Sequence, residues 1–318
     1  MNLERPSQSS SEVNKEIVRK QVVGTIDRMR ELKDSVVLRG EKHEQEGITT
    51  SPEALLSDMI NDQLLFLESE EAGDLKASEY CTEHLVLSSL FALQAKKAHE
   101  IRNDPDSTPY SIRDAKKILI QYNAHLHDSM FFAQGPVAKH FLIISEMLNV
   151  GFSNELDVPA ADRQMIKDSY NGIKYEVACH RALAFPSIVE KDGKNIPYEV
   201  SATDVADDLA GVDLVVDFPD EKRPTGHFLY GIDVKKRGSF LSKIRDLGKG
   251  AVGTVTDKHF FEIGTKSVNG REMHKDIVNA EGFGQLGDGF DFSPDDKDAF
   301  REFVFSRVDD QLNLAEAA

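Results

Sequence analysis

Asp213, Asp233 and Lys235 are the residues whose types and spacing point most directly to chemistry. Two carboxylates about 5 Å apart on one sheet face can share a hard cation such as Mg²⁺ or Mn²⁺. A lysine beside them can orient a water or help deprotonate it. Residues so far apart in sequence meet only if the chain folds back between them. Val212 to Phe218 and His227 to Lys235 read as β-strands, and Pro219 to Gly226, bounded by Pro and Gly, reads as the loop of a hairpin. If the loop is centred near Lys222 and Arg223, opposed residues have numbers summing to about 445, with Asp213 across from Ile232 and Asp233. One residue of slip would put the two acids on opposite faces. Upstream, Glu176 lies on the helical stripe of Ile173, Cys179, His180 and Leu183, so it points partly inward and needs a partner, either a metal or a salt bridge.

The charge around these residues is segregated. Residues 199 to 221 contain eight acids and no Lys or Arg, whereas residues 222 to 258 contain nine bases and three acids. The whole chain of 318 residues has a formal net charge of −17, which by itself argues against a polyanionic partner. The distribution weakens that exclusion, because the acidity lies mostly outside the basic stretch. What remains is an expectation of weak, strongly salt-dependent affinity for nucleic acid.

Two kinds of texture surround the hairpin. The first eleven residues are polar and Ser-rich and read as a disordered tail. From residue 12 to residue 150 the apolar spacing is helical throughout. Helices are expected over Glu12 to Leu38, from Ser51-Pro52-Glu53 onward, over Ser78 to Ile101, over Ser111 to Met130 and through Phe141 to Leu148. A long helix from Ala160 to Phe185 follows, then short strand-like runs at Pro197 to Ser201 and Phe260 to Gly264 besides the two of the hairpin. Ser293-Pro294-Asp295-Asp296 announces a last helix. The expected division is a tail over 1–11, a helical domain over 12–150 and a mixed α and β domain over 151–318. With 40% hydrophobic residues the chain can build a sizeable core. Two cysteines exclude a disulfide framework, the start of the chain lacks an apolar signal segment, and no apolar run is long enough to span a bilayer. A cytoplasmic protein without membrane contact is expected.

At the hairpin the sequence resembles the PD-(D/E)XK nuclease superfamily. The matching residues are Gly211-Val212-Asp213-Leu214-Val215-Val216, then Gly231-Ile232-Asp233-Val234-Lys235, after a helix bearing Glu176. The resemblance covers about residues 160 to 261. It implies an α+β or α/β architecture in which the N-terminal all-helical bundle precedes a restriction-endonuclease-like mixed sheet flanked by helices. It further implies that Asp213 and Asp233 are metal ligands, with the Val234 carbonyl a third. Glu176 would support the metal directly or through water, and Lys235 would position or activate the attacking water. Val212 stands where the motif's name has Pro, and the middle acid is Asp rather than Glu. The implied function is Mg²⁺- or Mn²⁺-dependent hydrolysis of nucleic acid, DNA ahead of RNA, with Lys236, Arg237, Lys243, Arg245 and Lys249 contacting the backbone. The competing reading is a non-catalytic protein that keeps the nuclease-like scaffold and engages a protein partner through its acidic helical half.

Other patterns carry less. Gly248 to Gly253 and Gly282 to Gly287 both match GxGxxG, but neither follows an expected strand and opens a helix. Glu199, Asp207 and Asp208 read as a solvated acidic turn before they read as further ligands. His125, His127 and Asp128 look like metal ligands in print, yet residues two apart on a helix diverge, so ordinary helix histidines are expected there. Cys179 is expected in the core, and His180 as a hydrogen-bond partner.

Overall fold

The computed structural model describes residues 10–44, 51–185, 188–191, 194–203, 211–220, 223–248, 260–268 and 270–317. The chain forms two compact units, Met1–Tyr170 and Asn171–Ala318, so the division falls inside a helix and not at residue 150.

The N-terminal unit is helical. Its elements are α1 (Ser10–Glu44), α2 (Pro52–Leu67), α3 (Glu70–Gly73), α4 (Ala77–Asn103), α5 (Pro109–Phe132), α6 (Gly135–Lys139) and α7 (Phe141–Leu156), with α8 (Arg163–Ala184) running on into the second unit. Starts follow local chemistry. Ser51 Oγ accepts a hydrogen bond from the Ala54 amide at 3.2 Å with Pro52 at the first helical position, and Thr108 caps α5 in the same way ahead of Pro109. α4 packs extensively along α5. Leu85, Leu87, Leu90 and Phe91 of α4 and Tyr122 and Leu126 of α5 are buried, as are Phe141, Ile144, Leu148 and Phe152 of α7. Among the described residues no helix is long and apolar enough to cross a membrane.

The C-terminal unit is built on a five-stranded mixed sheet. Its strands are β3 (Glu199–Ala202), β4 (Leu214–Pro219), β5 (His227–Lys235), β6 (Phe260–Val268) and β7 (Arg271–Asn279), in the order β3-β4-β5-β7-β6. β5 and β7 are parallel and the other neighbours antiparallel. A separate hairpin joins β1 (Ile188–Lys191) to β2 (Lys194–Pro197). Among the described residues the unit also has two later helices, α9 (Arg237–Gly248) and α10 (Pro294–Ala317). Parallel strands need a crossover, and α9 lies within the one from β5 to β7.

Alternation along the strands divides the core. Leu214, Val216, Phe218, Tyr230, Ile232, Val234 and Val278 cover one face, packed with Tyr175, Cys179 and Leu183 of α8 and with Phe300, Val304 and Val308 of α10. The opposite face carries Val212, Val215, Val268 and Met273 in one cluster, and Phe240 of α9 with Phe261 and Ile277 in another. Gly231 allows this second face to close, because a Cβ there would stand 2.6 Å from Met273 Sδ. Asp233 alternates with Ile232 and Val234 and therefore belongs to the second face, as does Lys275, which lies between Met273 and Ile277.

Candidate active site

The hairpin forms as its sequence requires. Leu214 pairs with Ile232 and Pro219 with His227, and just ahead of the ladder the Asp213 amide donates to the Ile232 carbonyl at 2.8 Å, one residue before Asp233. Asp213 Oδ2 accepts from the Val234 amide at 2.7 Å and from Lys235 Nζ at 3.0 Å. Lys235 Nζ also donates to the Val234 carbonyl at 3.0 Å and forms an ion pair with Asp233 Oδ1. The oxygens expected to hold a metal thus converge on one cation, the ammonium of Lys235. Oxygen donors of this kind suit a hard divalent ion, so the residues present fit the implied Mg²⁺ or Mn²⁺.

Two further lysines close the cluster. Asp233, 0% exposed, accepts at Oδ2 from Lys243 Nζ at 2.7 Å, and Lys275 Nζ lies 4.0 Å from the same oxygen. Glu176 of α8 is half-buried and lies near enough to act on Lys235. Burial alone would lower the Lys235 pKa, but the fields of Asp213, Asp233 and Glu176 outweigh it and hold it above the ordinary lysine value. Burial raises the Asp213 carboxyl, opposed by Lys235. Burial also lowers the Lys275 ammonium. Three carboxylates and three ammoniums therefore share one partly enclosed space.

Gly211 is the backbone hinge of this arrangement. Its φ of +73° lies in the left-handed region, and a Cβ would meet Lys275 Nζ at 3.2 Å, Lys243 Nζ at 3.3 Å and Asp233 Oδ2 at 3.5 Å. The lysine tips can give way, so the backbone conformation dominates the cost. Gly211→Ala is expected to destabilise the C-terminal unit by about 1–2 kcal/mol, read as a lower urea midpoint at unchanged slope. An unshifted midpoint would contradict the left-handed conformation.

The residues read as backbone contacts separate. Lys243 turns inward to Asp233, while Arg237 and Arg245 are exposed on α9 and Lys236 is half-buried. Lys249 lies outside the described residues, as do Asp207, Asp208 and most of the Gly248 to Gly253 motif. Glu199 is exposed and pairs with Asp217, which bonds His227 Nδ1 at 2.9 Å at the far end of the hairpin. The Gly282 to Gly287 motif follows β7 through a 3₁₀ turn, Ala280–Gly282, but no helix opens on it. Cys179 is buried in the core, and His180 is buried.

Sequence reasoning missed Lys275 altogether. A single lysine in an unrecognised strand gives no local signal, and only the parallel pairing of β7 with β5 brings it opposite Gly231 and beside Asp233. A second buried group lies on the other sheet face. Tyr230 Oη donates to Asp276 Oδ2 at 2.7 Å, Arg307 Nε donates to the same oxygen at 2.9 Å, and His274 Nε2 stands 3.5 Å from Asp276 Oδ1. Comparison of the chain with protein-family models, with curated proteins and with solved structures gives no match.

Proposed function

We propose that the chain is a nuclease that hydrolyses phosphodiester bonds of nucleic acid with a divalent cation held by Asp213 and Asp233, on a restriction-endonuclease-like core. The observation that supports this most is the convergence of Asp213 Oδ2, Asp233 Oδ1 and the Val234 carbonyl on one cationic atom. A helix bearing Glu176, a strand pair bearing both acids and the lysine, and a mixed sheet flanked by helices agree with the resemblance read at these residues.

Asp213, Asp233 and the Val234 carbonyl would hold Mg²⁺ or Mn²⁺, with Glu176 joining directly or through water. When bound, the ion supplies Lewis-acid stabilisation of the phosphate and a water of lowered pKa. Lys235, displaced from the carboxylates but tethered one residue from the Val234 carbonyl, orients the attacking water. As long as the acids keep it protonated, it donates hydrogen bonds and does not take a proton. Lys243 and Lys275 neutralise Asp233 from the other side, so the loaded pocket carries a positive surplus that suits a phosphodiester gaining charge in the transition state. Arg237 and Arg245, two turns apart and about 12 Å along α9, are placed to follow a nucleic-acid backbone.

The test is cleavage of end-labelled DNA and RNA by the purified chain. Cleavage is expected with Mg²⁺ or Mn²⁺ and not with EDTA, and Asp213→Asn is expected to slow it by about 10³-fold. No cleavage of either polymer by the wild type, or an undiminished rate in the variant, would refute the assignment. One observation favours the second reading, a non-cleaving scaffold that engages a protein partner: Asp213 and Asp233 already have ammonium partners and need no metal to be neutralised. Such a scaffold would leave Mn²⁺ unbound at Asp213 and Asp233.

A further inference from the structure

α4 and α5 bring together three side chains that the sequence keeps apart. His125 and Asp128, three residues apart, share one face of α5, and His84 meets them from α4. One ligand atom from each lies within 4.8 Å of the other two. His84 Nδ1 is 3.7 Å from Asp128 Oδ2, too far for a hydrogen bond. Two ligands of one tetrahedral ion with bonds of 2.0–2.1 Å would stand about 3.3 Å apart, so a small closing movement completes that pair.

The second observation is independent of these distances. The Nδ1 atoms of both His84 and His125 are buried and have no hydrogen-bond partner. Leaving two imidazole nitrogens in this condition is unfavourable unless something satisfies them. Aromatic rings wall the place: His84 stacks on Phe132 at 5.9 Å and His125 on Phe91 at 5.2 Å between centroids. Nearby Glu83 is not an alternative ligand, because Arg28 Nε bonds both of its oxygens, at 3.1 and 3.2 Å. His127, which diverges from the cluster as helical spacing requires, takes a supporting role. Its Nδ1 contacts Asp128 Oδ1 at 3.3 Å, leaving Oδ2 to face His84.

We infer that His84, His125 and Asp128 form a binding site for a first-row transition-metal dication, with Zn²⁺ and Co²⁺ as its probes. The donor set decides the class, since two imidazoles and one carboxylate select Zn²⁺, Co²⁺ or Fe²⁺ over Mg²⁺, in contrast to the all-oxygen set at Asp213 and Asp233. Metal ligation uses the neutral imidazole, the form that burial favours. Three protein ligands would leave a tetrahedral ion one further position, for water or another ligand.

Titration of the metal-free full chain with Co²⁺, followed by its visible absorption, tests this inference. One equivalent is expected to bind in wild type and in Asp213→Asn alike, and to bind at least 100-fold more weakly in His84→Ala and in His125→Ala. His127→Gln should weaken binding 10- to 100-fold through the orientation of Asp128. X-ray absorption of the Zn²⁺-loaded wild type needs no variant to fold and should show two imidazoles in the first shell. No Co²⁺ uptake, uptake abolished by Asp213→Asn, or an all-oxygen shell around zinc would each overturn the assignment.

Discussion

Lys235→Met is expected to bind Mn²⁺ at least tenfold more tightly than wild type while cleaving DNA about 10³-fold more slowly. The reason is positional. Nζ of Lys235 lies 3.0 Å from Asp213 Oδ2 and 3.0 Å from the Val234 carbonyl and pairs with Asp233 Oδ1, so it occupies the space a dication would need. Metal binding must first break charge-assisted hydrogen bonds worth about 1.5–3 kcal/mol each, and methionine removes that competition at nearly constant volume. The catalytic loss follows because methionine cannot orient a water. Stability offers a separate reading. In the metal-free variant two buried carboxylates lose a counter-charge, which should cost about 3–5 kcal/mol, and Mn²⁺ should restore most of it by binding only the folded state. Calorimetric Mn²⁺ titration, thermal melts with and without the ion, and cleavage of labelled DNA distinguish the outcomes. If Mn²⁺ affinity falls with the ammonium gone, Lys235 is not the occupant of a metal position; if cleavage is unchanged, it has no part in the chemistry.

What the sequence revealed and what it hid can be traced to particular residues. The hairpin was legible because two apolar, β-type runs flank a loop bounded by Pro and Gly, and the observed pairs sum to 446, within one of the value expected from the loop centre. Ahead of the paired residues the Asp213 amide bonds the Ile232 carbonyl, and the two acids meet at the ammonium of Lys235. β7 was not legible, because its centre reads His274-Lys275-Asp276 and apolar periodicity cannot reveal a strand whose buried positions are charged. Those charges are tolerated only because Asp233 and Arg307 meet them, and no local pattern reports such partners. α9 did carry a helical signal in Phe240, Ile244 and Leu247, but its bases drew the reading toward a nucleic-acid contact, and Lys243 turned out to face a carboxylate. In the N-terminal unit the expectation of ordinary helix histidines did not anticipate that His125 and Asp128 of α5 meet a third side chain. It missed His84, because the register of α4 against α5 is set by packing over many side chains and not by spacing within either helix.

Arg307→Met is expected to destabilise the C-terminal unit by about 3–5 kcal/mol at pH 7, on a par with metal-free Lys235→Met. Arg307 of α10 donates to Asp276 Oδ2 at 2.9 Å, pairs with Glu262 at 2.9 Å and lies over the Phe260 ring at 4.6 Å. Its partner Asp276 is 0% exposed, so losing the guanidinium leaves a buried charge with only the hydroxyl of Tyr230 and the ring of His274 near it. The pH dependence should invert in a defined direction. Burial would raise the Asp276 pKa, but the contacts from His274, Arg307 and Tyr230 outweigh it and hold the carboxyl below its ordinary value. A depressed folded-state pKa adds stability that is present above the unfolded value near 3.9 and is lost as pH falls through the folded one. Without Arg307 the burial effect dominates, so the variant should instead gain relative stability as pH falls toward 4 and Asp276 becomes protonated. Asp276→Asn combined with Arg307→Met should recover part of the loss, because the uncompensated charge is gone. Hydrogen exchange of the β5 and β7 amides, followed from pH 7 to pH 4, measures this unit without requiring the whole chain to unfold in two states. Equal protection in wild type and Arg307→Met, or a double variant no better than the single, would show that packing of α10 rather than the ion pair holds that face of the sheet.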